Sequence, residues 1–159
     1  MNFDQAFDRL IANEGGYVNL AADPGGETKF GISKRSYPDV DIKNLTRDQA
    51  KAIYLKDFWL AGSMDQLPGA LAFQCFDTAV NHGIRAALKM LQRAAGVKDD
   101  GVIGPVSLAA INATSITDML MRFIAFRIKF WTSLPTWPSF GRGWANRAAD
   151  NLLFAAEDS

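Results

Sequence analysis

Three residues near the start of the chain have the types and spacing to do acid–base chemistry. Glu14 is followed nine positions later by Asp23, and Thr28 lies five positions beyond that. A carboxyl group held beside apolar surface has its charged form disfavoured, so it keeps a proton to donate near neutral pH. A second carboxyl in a polar turn stays ionised and can handle a water. Two carboxyls in such unlike environments form the arrangement that hydrolyses glycosidic bonds. Their separation sets the outcome: roughly 6.5–9.5 Å admits a water and inverts the anomeric centre, whereas roughly 5–5.5 Å makes the second carboxylate a nucleophile. A threonine hydroxyl nearby can help to orient that water. Each residue also has an ordinary reading. Glu14 alone is more commonly a solvated glutamate in a helix's last turn, Asp23 a turn former before proline, and Thr28 a β-branched strand residue.

The elements that must position these residues can be read from periodicity. Phe3, Phe7, Leu10 and Ile11 recur at helical spacing behind a possible Asn2 cap, and Gly15-Gly16 stop that helix just past Glu14. Asp23-Pro24-Gly25-Gly26 is a turn flanked by short extended pieces, Tyr17 to Asn19 and Lys29 to Ile32, which predicts a small irregular hairpin. The rest reads as helix. Ser33 offers a cap for a short helix, and Thr46 for Arg47 to Trp59. Apolar helices follow over Gly69 to Asn81 and Arg85 to Ala95. Pro105 opens Val106 to Asn112, and Ser115 or Thr117 caps a long helix to Ser133. Leu134-Pro135-Thr136-Trp137-Pro138 breaks the chain before a last helix over about 143–156. The fold class expected is therefore mainly α with one small β-hairpin near the N-terminus. The turn Lys98-Asp99-Asp100-Gly101 is the one plausible seam, dividing residues 1–97 from 98–159 within one globule.

Composition narrows the function classes. The chain has 159 residues and is 48% hydrophobic, enough for a sizeable core. Seventeen basic residues balance seventeen acidic ones, so no global charge draws it to nucleic acid. One cysteine, Cys75, and one histidine, His82, fall short of a nitrogen–sulfur metal set, and Cys75 in its apolar run reads as a buried small hydrophobe. No metal and no cofactor are expected. The start lacks a signal-peptide pattern, and Arg122, Arg127 and Lys129 interrupt the most apolar late stretch, so no membrane insertion is expected. Arg122, Arg127, Lys129, Arg142 and Arg147 read as ordinary solvated helix surface, with a cationic face toward an anionic cell wall as the alternative. Trp59, Trp131, Trp137 and Trp144 read mostly as core.

The motifs together resemble a known family. Glu14-Gly15-Gly16-Tyr17-Val18-Asn19 and Asp23-Pro24-Gly25-Gly26-Glu27-Thr28-Lys29-Phe30-Gly31-Ile32-Ser33 resemble the opening motif of glycoside hydrolase family 108, N-acetylmuramidases found largely in phage endolysins and prophages. Phe76 to Gly83 resembles the end of that family's central helix. Leu91 to Val97 and Asp100 to Pro105 resemble its C-terminal predicted peptidoglycan-binding region, and Phe140-Gly141-Arg142-Gly143-Trp144 its closing segment. The resemblance implies a lysozyme-like fold and hydrolysis of the bond between N-acetylmuramic acid and N-acetylglucosamine. It implies Glu14 as the acid, with Asp23 and Thr28 positioning water. Apart from the resemblance, Tyr17 and Phe30 flank the proposed groove, where sugars stack on aromatic faces, with core packing the commoner reading for Phe30 and an equal one for Tyr17. The Asn81 amide can meet an acetamido group or be satisfied by its own helix backbone. The partner that the resemblance implies is bacterial peptidoglycan. A monomer is expected, held in the host cytoplasm until a holin releases it to the wall. Two other functions remain open: a lytic transglycosylase acting on the same bond, and a non-catalytic wall-binding or phage structural module.

Overall fold

A computed structural model describes residues 1–12, 16–19 and 26–159. Glu14 and Asp23 lie outside the described residues. The first helix, α1 (Phe3–Ile11), starts at an Asn2 capping box: the Asn2 side chain accepts from the Gln5 N–H, and the Gln5 side chain accepts from the Asn2 N–H. Its stripe of Ala6, Phe7 and Leu10 is buried.

A three-stranded antiparallel sheet follows: β1 (Val18–Asn19), β2 (Glu27–Lys29) and β3 (Ile32–Ser33), in that order. The sequence predicts one hairpin, and the structure adds a second. Phe30 and Gly31 both have positive φ, 51° and 75°, so the chain reverses between Lys29 and Ile32, which pair directly. Two central residues at positive φ make the tight hairpin turn, and an aromatic residue rarely takes that conformation. Ser33 therefore belongs to a strand, not to the helix cap that its sequence suggests. Its hydroxyl accepts instead from the Ser36 N–H.

Among the described residues, six further α-helices build the body. Thr46 caps α2 (Arg47–Tyr54) in a second capping box, and a π-helical segment, Leu55–Leu60, continues it. α3 (Gly69–His82) is the centre of the molecule. Every residue from Ala70 to Ala79 is buried, polar ones included, and α1, α4, α6 and α7 all pack on it. A helix that is apolar all round must lie inside. α4 (Ile84–Ala94) and α5 (Pro105–Ala113) come next, then α6 (Ile116–Ser133), capped by the Ser115 side chain. α7 (Trp137–Asp158) begins well before the predicted start. Pro138 sits in its first turn, where a missing N–H costs nothing, so the proline opens the helix that it is expected to break.

Gln92 ties down the turn that reads as a seam. Fully buried on α4, it donates to Asp100 Oδ1 (2.8 Å), Val102 O (2.9 Å) and Ser107 Oγ (3.2 Å), and its oxygen accepts from the Gly101 N–H (2.7 Å). No helix among the described residues is long and apolar enough to cross a membrane.

Candidate active site

Thr28 is the one member of the expected catalytic set that falls within the described residues. It sits on the central strand, opposite Val18 on one side and Ser33 on the other. Directly opposed residues share a face and alternate ones do not. Thr28 thus shares its face with Val18 and Ser33, while Glu27 and Lys29 point the other way.

Tyr17 belongs to the Glu27 side. Its hydroxyl donates to Glu27 Oε1 at 2.6 Å, and that bond to an anion raises the phenol above its ordinary pKa. The ring is exposed at the sheet edge, with a polar partner at its tip. The structure therefore does not bring Tyr17 and Thr28 to one face of the sheet. Phe30 packs its ring against the edge of the core. Its backbone carbonyl accepts from the Tyr54 hydroxyl at 3.0 Å, which anchors the hairpin turn to α2.

A cavity of about 260 Å³ opens between this sheet and the C-terminal end of α3, lined by Ile32, Ser33, Ser36, Tyr37, Tyr54 and Val80. Tyr37 donates to Asp57 Oδ2 (3.1 Å), and its pKa is pushed up to about 12 by burial and by that carboxylate. Asn81 follows Val80 at the helix end and is exposed. Its amide donates back to the Asp77 carbonyl at 2.7 Å, so the helix takes up part of its hydrogen-bonding capacity.

A second groove, of about 360 Å³, runs along α7 beside the last turn of α1. Arg9, Leu10, Phe73, Asp77, Arg147 and Asn151 are among its lining. Its floor is an ionic network that the sequence reading misses. Arg127 places Nη1 2.6 Å from Asp77 Oδ2. Arg147 grips the same carboxylate through Nε (3.1 and 3.2 Å) and Nη2 (2.5 Å), and Asn151 Nδ2 donates to it at 3.0 Å. Burial works against the charged form of Asp77, but the two guanidinium groups and Asn151 outweigh it and hold the carboxyl below its ordinary value. Arg127 is 1% exposed, so the solvated basic face expected late in the chain is corrected there: Arg127 and Arg147 face Asp77. The signal was available in the sequence. Asp77 lies inside the apolar run Phe73 to Val80, and a buried charge requires a partner.

His82 closes the far end of α3. Its Nε2 accepts a hydrogen bond from the Trp131 indole N–H, and Phe130, Trp131 and Trp144 surround its ring. Burial first, then Arg127 and Arg147, lower its pKa to about 4, so the imidazole is neutral at neutral pH. Cys75 is fully buried, and burial pushes its thiol up to about 12, which fits a core residue rather than a nucleophile. Among the described residues no three His, Cys, Asp or Glu side chains are grouped to hold a metal ion.

Comparison with known proteins places this geometry. The family model described as glycosyl hydrolase 108 matches residues 7–83, and one described as a predicted peptidoglycan domain matches residues 86–149. Among solved structures, that of Brucella abortus SagA superposes with a TM-score of 0.89 at 32% sequence identity, over 99% of this chain and 95% of that one. No curated protein matches the sequence. The likeness runs along almost the whole of both chains, and the chain belongs to the glycosyl hydrolase 108 family.

Proposed function

We propose that this glycoside hydrolase cleaves the β-1,4 bond between N-acetylmuramic acid and N-acetylglucosamine in peptidoglycan. Glu14 protonates the glycosidic oxygen, and Asp23, helped by Thr28, activates water on the opposite face of the sugar. One observation carries the proposal: the glycosyl hydrolase 108 match over residues 7–83 includes Glu14, Asp23 and Thr28. The local structure supports it. The buried stripe of α1 holds fast the helix that precedes Glu14 in the chain, and Thr28 stands on the middle strand, where both neighbours fix its backbone. Phe30 and Asn81 remain proposed glycan contacts, and Tyr17, on the opposite face of the sheet from Thr28, would meet glycan only at the sheet edge. The peptidoglycan-domain match over α4 to α7 supports the choice of polymer.

The test is the chemistry of the new ends. Peptidoglycan digested by the chain and then reduced with borohydride should yield reduced muramic acid. Reduced glucosamine would move the cut to the other bond, and anhydromuramyl ends would replace hydrolysis by transglycosylation. We extend the proposal to a lytic role, in which a monomer stays in the bacterial cytoplasm until a holin admits it to the wall. Expression with and without a holin checks this; lysis without one would count against it.

A further inference from the structure

Glycine weakens a helix, because the unfolded chain gains freedom and no side chain packs. α7 nevertheless carries glycine at 141 and 143. Gly141 has a structural reason: it is buried, and a Cβ there would lie 2.7 Å from the Trp137 ring, which rests on the helix backbone. Gly143 has no such reason. It is exposed, and a Cβ there would meet nothing within 4 Å. It lies on the wall of the groove beside Arg147 and Asp77.

The residues around Gly143 on the same helical face are of two kinds. Phe140, three positions before, is 56% exposed. Trp144 is next to it, with ring centroids 5.8 Å apart at 35°. Behind Trp144 stands a rigid wall: Trp131 stacks on it at 6.0 Å and 14°, and His82 meets it edge-on at 5.8 Å. Four positions after Gly143, the Arg147 side chain, 32% exposed, is held in place by Asp77. A preorganised aromatic platform at Phe140 and Trp144 thus adjoins, along the helix, the bare backbone of Gly143 and the fixed Arg147 cation that line the groove.

We propose that the α7 face of Phe140, Gly143, Trp144 and Arg147 is a glycan subsite for an N-acetylated amino-sugar chain. A pyranose ring has one face of C–H bonds, which packs on Phe140 and Trp144. The missing side chain at Gly143 lets the ring lie against the helix. Arg147 and the neighbouring Asn146 face the acetamido and carboxylate substituents of that sugar. The subsite rests on the peptidoglycan reading, and the domain match that ends at residue 149 spans every residue of it.

The test uses the full chain carrying Glu14→Gln, so that bound polymer is not consumed, sedimented with purified peptidoglycan. Phe140→Ala and Gly143→Leu should each weaken retention about tenfold, the scale of one lost aromatic contact. Gly143→Leu should melt no lower than its parent, because leucine is the better helix former. Leu153→Ala, exposed on the opposite face of α7, should bind as the parent does. Unchanged retention in both Phe140→Ala and Gly143→Leu overturns the subsite, as does a parent that fails to sediment. Release of muropeptides by the chain with Glu14 intact, measured in parallel, reports separately on the proposed function.

Discussion

Arg127 on α6 and Asp77 on α3 meet in the core, with Nη1 2.6 Å from Oδ2 and both side chains almost wholly out of solvent. The approach is close without being a well-aligned hydrogen bond: among the described residues the guanidinium nitrogens of Arg127 find no aligned acceptor. The group also lies over the Trp131 ring, 4.6 Å from its centroid. With Arg147 and Asn151 from α7 on the same carboxylate, one acidic residue joins three helices. It also links the groove to the core, since Asp77 and Arg147 line the one and Arg127 belongs to the other.

Removing one partner from this site should therefore be costly. Asp77→Ala leaves a buried arginine without its counter-charge, and a loss of about 3–5 kcal/mol is expected in urea melts. Asp77→Leu combined with Arg127→Met should recover part of that loss, because a well-packed apolar pair can replace a buried ion pair. In the unsubstituted chain the pair has its own pH window. The folded carboxyl lies below its ordinary value of 3.8, so its contribution is fully present above that pH and fades as pH falls through the lower folded value. A double-mutant cycle showing no coupling would remove the pair from the account of stability.

His82 should act at a milder pH. Its folded pKa, about 4, lies below the ordinary 6.5, so between those values the unfolded chain binds a proton that the folded chain refuses. Stability should fall as pH drops from about 6.5 toward 4 and lose this dependence below. His82→Asn can still accept from the Trp131 N–H and should flatten the decline in melting temperature across that window. Parallel melting curves for the two proteins would show that His82 does not titrate there.

How far the sequence reaches depends on whether a residue's neighbours are local. α1 and α3 were legible because Phe3, Phe7 and Leu10, and the apolar run after Gly69, repeat at the helical period. Asn2 and Thr46 were legible as caps because their partners, Gln5 and Gln49, lie three residues on. The start of α7 was not legible. Pro138, Gly141 and Gly143 argue against helix one by one, and only the first-turn place of Pro138 and the Trp137 ring against Gly141 show why two of them belong in one. The third strand was hidden by Phe30, which takes a backbone conformation that its side chain disfavours. At the site, Glu14, Asp23 and Thr28 could be chosen by spacing and resemblance, and the first two lie outside the described residues. The Asp77 network could not be chosen that way, because its members are 50 and 70 residues from Asp77 along the chain.

Gln92 offers a sharp contrast between two substitutions. Gln92→Leu removes the bonds to Asp100, Gly101, Val102 and Ser107 and should cost about 2–3 kcal/mol, the sum of a few net hydrogen bonds. Gln92→Glu keeps the acceptor for Gly101 but turns an oxygen toward Asp100 Oδ1 and the Val102 carbonyl. It should be the worse of the two, although closer in shape. Equal losses in urea melts would show that volume, not polarity, sets the requirement.

The catalytic proposal makes separable demands on its three residues. Glu14→Gln keeps the shape and removes the transferable proton, so hydrolysis should fall by ~10²–10⁴ while sedimentation with peptidoglycan persists. Asp23→Asn should lower the rate in the same manner, because the amide cannot take a proton from water. Thr28 is a finer case. Valine suits its place on the central strand and lacks only the hydroxyl, so Thr28→Val should fold and lose about tenfold in kcat, the worth of one hydrogen bond made in the transition state. Thr28→Ser restores the hydroxyl and should regain most of the rate. If Thr28→Val instead turns over at the parental rate, the water is Asp23's alone, and the threonine is there for the sheet.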